Sequence, residues 1–250
     1  MCTILSLFGK KETKYTGMLR TKAIKELIFT MGADLCGIAS VGRFHEAPPG
    51  FAPSDIYAKT QSIIVFAKQV PSESLFAQSC IPYTHVNTLI MRQVDALTLN
   101  ISLELERHGI KSVPIPTDDP YEYWDNQRAT GRAILSLRHA GVLAGLGNLG
   151  KNTLLINRRY GSMIQLGAIL TDMVLDQDPL VDYEVCPSGC RRCLSACPTQ
   201  ALDGTTVRQD LCRPLSNFRH GKGYILKKCF ECRRVCPHAV GIGSDGGESV

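Results

Sequence analysis

The sequence predicts an α+β fold, followed by a separate cysteine-rich segment in the last quarter of its 250 residues. Three observations predict this. Segments of helical spacing and short apolar runs both occur between residues 18 and 185. They do not follow the strict strand–helix alternation of a doubly wound sheet, which favours an α+β layer structure. Of eleven cysteines, eight lie between Cys186 and Cys236, while Cys2, Cys36 and Cys80 are scattered.

The elements follow in order. Residues 18–34 carry Leu19, Ala23, Leu27, Ile28 and Met31 at helical spacing, and the helix ends near Gly32. Residues 35–41 and 62–67 are apolar runs that read as buried strands, separated by a loop that Pro48, Pro49, Gly50 and Pro53 enforce. Residues 85–108 read as one long helix, with Leu89, Val94, Leu97, Ile101 and Leu105 along its buried side and Gly109 as its C-terminal cap. Residues 112–115 form a strand, and the polar, aromatic stretch 116–131 has no clear period. Residues 133–145 are helical. Residues 153–157 and 163–171 are strands that Arg158, Arg159, Tyr160 and Gly161 join as a hairpin. This gives an N-terminal extension (1–17), an α+β domain (18–185), a cysteine-rich domain (186–240) and a Gly/Ser-rich, mobile tail (241–250). Cys36 and Cys80 read as buried apolar filling.

Composition is that of a soluble globular chain, with 44% hydrophobic and 20% charged residues. No stretch approaches the roughly 18–20 apolar residues of a membrane span. The apolar run at residues 2–8 precedes its positive charges, the reverse of a secretory signal, so a cytoplasmic location is expected. Clustered cysteines in such a compartment point to metal or cluster ligation rather than disulfides.

The cysteine block has two runs. The first holds Cys186, Cys190, Cys193 and Cys197, with Pro198 after the last; the second holds Cys212, Cys229, Cys232 and Cys236, with Pro237 after the last. Each run ends in C-x-x-C-x-x-x-C-P, close to the two-cluster ferredoxin pattern, in which the cysteine before proline ligates the other cluster. Two [4Fe–4S] clusters are therefore expected, one on Cys186, Cys190, Cys193 and Cys236, the other on Cys212, Cys229, Cys232 and Cys197. Cys186 stands one residue farther from Cys190 than the pattern has it, and Cys212 lies well before Cys229. A pair of Cys₄ zinc sites is the competing reading. Residues 186–238 also carry ten Lys/Arg against three acids. Such a surplus suits anionic thiolate-bound clusters, or a basic surface for nucleic acid or an acidic redox partner.

Gly145, Gly147 and Gly150 match G-x-G-x-x-G, but helical residues precede the motif and a strand follows it, the inverse of a dinucleotide-binding site. The glycines still imply close approach, either of another backbone or of a flat cofactor.

Residues 145–162, residues 166–172 and the eight clustered cysteines resemble the core of epoxyqueuosine reductases, and Arg138, His139, Ala140 and Gly141 resemble the related reductive dehalogenases. The resemblance implies a nitroreductase-like domain that holds cobalamin, followed by a ferredoxin-like domain. The clusters would pass single electrons to cobalt, which reduces an electrophilic small molecule or modified nucleoside. It implies corrinoid contacts along Arg138, His139, Gly145, Gly147, Asn148, Gly150, Lys151, Asn152, Thr153, Gly161, Ser162 and Gly167. It implies an acidic proton donor, for which Asp118 is the best match and Asp119 the next; Tyr121 and Tyr123 are the other candidates. Asp118 and Asp119 also read simply as a turn before Pro120. Trp124 reads as packing or cofactor contact. A ferredoxin or flavodoxin would supply electrons. The family's aromatic–Asp–Tyr–His signature is replaced by Ile81-Pro82-Tyr83-Thr84-His85, and its helical extension after the clusters is not matched, which puts a tRNA substrate in question. An electron carrier or reductive activator without its own substrate is the other reading.

Overall fold

The computed structural model describes residues 14–243. Cys2, the apolar run at 2–8 and most of the predicted tail lie outside them. The first helix, α1 (Lys14–Thr30), begins four residues before its predicted start. It buries Thr21, Ile24 and Ile28, with Ala23 and Leu27 half-buried at the edge of that stripe. Gly32 then turns the chain at φ +108°, a conformation that favours glycine.

Next come β1 (Leu35–Ser40), the one-turn α2 (Pro53–Ile56) and β2 (Ser62–Gln69). The long α3 (Cys80–Arg107) starts five residues earlier than predicted, where Ser79 caps it by accepting from the Ile81 N–H at 3.2 Å. Its buried stripe is Ile90, Val94, Leu97, Ile101 and Leu105; Leu89, predicted to face the core, is exposed. Gly109 follows the helix at φ +75°, as its capping role requires. Cys36 is buried, as expected of filling, but Cys80 sits half-buried in the first turn of α3 and fills no core.

β3 (Ser112–Ile115) is followed by a hairpin of β4 (Tyr123–Asp125) and β5 (Thr130–Arg132), inside the stretch that showed no period. The helix predicted over 133–145 is shorter, α4 (Leu137–Leu143). Then come β6 (Asn148–Leu149), β7 (Leu155–Ile156) and β8 (Ile164–Thr171).

Here the structure corrects the predicted hairpin. The chain does reverse between Asn157 and Gly161, which bridge each other, but β7 pairs with β6 and not with β8. β8 instead enters the main sheet, whose order is β1-β2-β8-β3 with every neighbour antiparallel. The reason is burial: β8 is apolar on both faces and needs strands on both edges, which a two-strand hairpin does not provide.

Alternation along β2 splits the core. Ile63, Val65 and Ala67 face one layer with Ile115, Leu135, Ala140, Leu155 and Leu166. Ile64 and Phe66 face the other with Ile24, Ile28, Val94, Ile101 and Leu105 of α1 and α3. Such period-2 division is what a sheet covered on both faces demands.

The cysteine-rich segment contributes α5 (Arg192–Ser195), α6 (Gln209–Ser216), the short pair β9 (Phe218–Arg219) and β10 (Ile225–Leu226), and α7 (Glu231–Arg234). One-turn helices follow the second cysteine-rich step in each run, and α5 packs on α7. A small apolar cluster docks this segment on the sheet domain: Ala239, Phe230 and Cys236 pack with Val70, Tyr83, Ile90 and Met163. No helix among the described residues is long and apolar enough to cross a membrane.

Candidate iron–sulfur and proton-donor site

Four of the clustered thiols line one small, partly open cleft: Cys186, Cys190, Cys193 and Cys236, together with Lys151, Asn152 and Arg192. The electrostatic neighbours of Cys236 and Cys229 divide the same way, while Cys232 feels Cys193 as well as Cys212 and Cys229. Cys236 faces Cys186, Cys193 and Cys190, whereas Cys229 faces Cys212 and Cys197. Cys236 thus neighbours thiols of the first run, and Cys197 neighbours Cys229 of the second. Among the described residues, no three His, Cys, Asp or Glu side chains are placed to hold a single metal ion. Cys232 is held near a pKa of about 12, chiefly by burial, and Cys193, Cys229 and Cys236 are raised for the same leading reason. Buried thiolates need a positive partner, and ligation to iron supplies one. Cys197 differs. Burial opposes its thiolate, but N–H groups of Ala201 and Thr199 and the Thr199 hydroxyl carry its pKa below the ordinary value. The Ala201 N–H lies 3.2 Å from its sulfur.

The glycine-rich stretch meets this site through its turn. Thr153 N–H donates to the Gly150 carbonyl at 2.8 Å, closing residues 150–153. Thr153 itself sits at φ +61°, a region in which a β-branched residue is strained. The Arg138 guanidinium holds it there, donating to the Thr153 carbonyl and, at 2.8 Å, to its Oγ1. The turn then presents Lys151 and Asn152 to both cysteine runs. Lys151 N–H points at Cys186 Sγ (3.4 Å), Lys151 Nζ donates to the Cys190 carbonyl (2.9 Å), and Asn152 Nδ2 donates to the Cys232 carbonyl (3.1 Å).

What fills the glycines tests whether this stretch fits a flat macrocycle. A Cβ on Gly145 would run into the Pro179 carbonyl, on Gly147 into the Ile156 carbonyl, and on Gly161 into the carbonyls of His238 and Ala239. On Gly150 it would meet Ile156 Cδ1 at 2.6 Å, and on Gly167 Phe66 Cζ at 2.7 Å. The protein's own atoms occupy the approach at each. Arg138, Lys151, Asn152 and Thr153 are likewise committed to internal bonds, and His139 Nδ1 is 2.7 Å from Ser136 Oγ. Asn148 is exposed, its Oδ1 accepting from Leu149 N–H. Only Ser162 Oγ in this set is buried without a hydrogen-bond partner. The glycines let the chain's own atoms approach closely, and the stretch forms a seat for the cysteine runs. That role lay in the loop's contacts, and the spacing of its glycines gave no sign of it.

The candidate proton donors form a second feature. The Tyr121 hydroxyl donates to Asp118 Oδ1. Burial, then the bond and charge of Asp118, push Tyr121 up to about 12. Arg213 lies over the rings of Tyr121 (5.4 Å) and Trp124 (5.0 Å), with Nη2 3.4 Å from the Tyr121 oxygen. Lys227, held down by burial, faces Asp118 and Asp119 and donates to Asn217 Oδ1 at 2.6 Å. Asp119 is exposed, and Tyr123 is exposed against Phe51, apart from this group. Trp124, 44% exposed, packs on Tyr121 at one edge of the corner. Arg213 is absent from the sequence-predicted set; its place directly after Cys212 was the available signal. Gln209, one turn earlier on α6, staples the β4–β5 hairpin by exchanging two 3.0 Å bonds with the Gly131 backbone.

No family model matches the chain. An epoxyqueuosine reductase of Lactococcus garvieae is 38% identical over 112 residues, which is 40% of this chain and 31% of that protein. That of Staphylococcus aureus is 26% identical over 283 aligned positions, covering 93% of this chain and 69% of its own length. The match to the first of these spans under a third of that relative. A crystal structure of epoxyqueuosine reductase with a modified tRNA-Tyr stem loop superposes with a TM-score of 0.57 at 19% identity, over 87% of this chain and 64% of that one. A reductive dehalogenase, whose structure was used to suggest a mechanism for B12-dependent dehalogenation, gives 0.63 at 20% identity, over 92% and 33%. The chain is thus a relative of the epoxyqueuosine reductases by sequence, with a mixed helix-and-sheet fold that those oxidoreductases share with reductive dehalogenases.

Proposed function

We propose that this protein is an iron–sulfur reductase in which two [4Fe–4S] clusters feed electrons to an acceptor at the Tyr121–Arg213 corner. One observation carries the reading. Helix α6 holds Cys212, a ligand assigned to the second cluster, beside Arg213, which caps the hydrogen-bonded Tyr121–Asp118 pair. Electron delivery and proton delivery therefore meet on one helix.

The chemistry follows from the residues. A tyrosine kept neutral by burial holds a transferable proton, and the Asp118 carboxylate on its hydroxyl orients it. Arg213 lends positive charge to the oxygen that would carry negative charge after transfer. The acceptor that the resemblance implies is a corrinoid, which when bound supplies a cobalt that collects single electrons and delivers a pair. The exposed ring of Trp124, beside the half-buried Tyr121, is the face we assign to it. The substrate is an electrophile, an epoxide or halide, borne on a small molecule or a modified nucleoside. A ferredoxin or flavodoxin, acidic against the ten Lys/Arg and three acids of residues 186–238, suits the donor role.

Anaerobically reconstituted protein tests this. It should retain added cobalamin with a base-off spectrum and reduce an epoxyqueuosine-bearing stem loop or a halogenated arene under a low-potential donor. Reconstituted clusters without corrinoid retention or reduction of either substrate would reject the reading. The same basic surplus favours tRNA as substrate carrier. Stem-loop binding should then weaken steeply between 50 and 200 mM salt, as phosphate contacts require, and no binding at low salt would leave the small electrophile.

A further inference from the structure

We infer that Lys151 is a positioning residue that sets the potential of one cluster of the pair, the one held by Cys186, Cys190, Cys193 and Cys236. The inference rests on the two-cluster reading. Lys151 lines the cavity those four thiols share. Its ammonium is fixed by donating to the Cys190 carbonyl at 2.9 Å, and its backbone N–H points at Cys186 Sγ from 3.4 Å. It is half-buried, so solvent screens its charge less than it screens the exposed Arg192 on the same cavity.

Reducing a cubane adds one electron and no proton, so the cluster gains one unit of negative charge. A fixed cation and an N–H donor at its ligands stabilise the reduced form and raise the potential. The loop treats the second cysteine run differently. There it offers the neutral Asn152 amide, bonded to the Cys232 carbonyl at 3.1 Å. The turn thus brings its cation to one cysteine group only, the other having Arg233 from its own run beside Cys232. The Arg138 bonds to Thr153 hold the backbone of the turn, and the Cys190 carbonyl holds the ammonium.

The test is an EPR-monitored redox titration of the reconstituted protein and of its Lys151→Gln and Lys151→Arg variants. Iron and sulfide are counted first. Wild-type protein holding fewer than about eight of each contradicts the two-cluster reading itself, which separates that failure from failure of this inference. With eight present, Lys151→Gln should make reduction of one cluster about tenfold less favourable, a fall of about 59 mV. The other cluster should move far less, and Lys151→Arg should restore the wild-type value. The backbone N–H survives both substitutions, so the shift reads the ammonium alone. Unchanged potentials, equal shifts of both clusters, or an arginine variant that behaves like glutamine would overturn the inference. If Lys151→Gln loses iron, retention in Lys151→Arg supports the charge requirement and loss in both overturns it.

Discussion

The backbone N–H of Lys151 points at the sulfur of Cys186 from 3.4 Å, joining the glycine-rich turn to the first thiol of the cysteine block. With the neighbouring Asn152 bond to Cys232, it makes residues 150–153 the seat on which both cysteine runs rest. Several outcomes depend on that seat.

Arg138 holds the strained Thr153 in place. Arg138→Ala should lower stability by about 1.5–3 kcal/mol, the range for hydrogen bonds to a charged group. It should also hasten loss of iron to a chelator. Chemical denaturation and chelator-release kinetics read both effects; unchanged release would show that the turn does not govern the clusters.

Gly161, at φ +56°, lies against the carbonyls of His238 and Ala239, where the end of the cluster domain meets the sheet domain. Gly161→Ala should cost about 1–3 kcal/mol through overpacking, with roughly 1–2 more from the left-handed backbone. Because Cys236 belongs to that junction, iron content should fall with stability. A variant with wild-type melting temperature and iron would contradict this packing.

Tyr121 and Asp118 should be separable from the clusters. Tyr121→Phe and Asp118→Asn should each keep about eight iron atoms and lose roughly 10²–10⁴-fold in turnover, the usual range for general acid catalysis. Since burial raises Tyr121 to about 12, its proton stays on across neutral and mildly alkaline pH, and turnover should show no step from its ionisation there. The folded state holds this proton more tightly than the unfolded state. The stability it contributes is therefore complete below the ordinary tyrosine pKa of about 10 and is lost as pH rises toward 12.

The two outlying cysteines among the described residues should react differently. Burial lifts the Cys36 thiol to about 12, so it should resist alkylation in the folded protein, while the half-buried Cys80 is modified first. Timed alkylation followed by peptide mass analysis decides it; equal labelling would place Cys36 at the surface.

Much of the fold was legible because burial writes itself as period. The alternation of Ile63 to Ala67 and the α3 spacing of Val94, Leu97, Ile101 and Leu105 read directly as strand and helix. The partner of β8 did not, because pairing is a non-local choice and the turn at Arg158–Tyr160 suits a hairpin equally well. The β4–β5 hairpin was hidden by its exposure: Tyr123, Trp124 and Asp125 all face outward, so no apolar face marks it. In the site, the two cysteine runs were legible in their spacing, and Cys236 shares a cleft with Cys186, Cys190 and Cys193. The glycines were legible as close approaches, but only coordinates show which neighbouring carbonyls and side chains come close. Arg213 was not legible, since an arginine beside a ligand cysteine is chemically unremarkable until its stacking on Tyr121 is seen.

The most direct measurement of the central claim is iron, acid-labile sulfide and zinc per chain in anaerobically reconstituted protein, with EPR after stepwise reduction. The account predicts about eight iron and eight sulfide, essentially no zinc, and two one-electron waves. About four iron with a single wave, or zinc in place of iron, would contradict it.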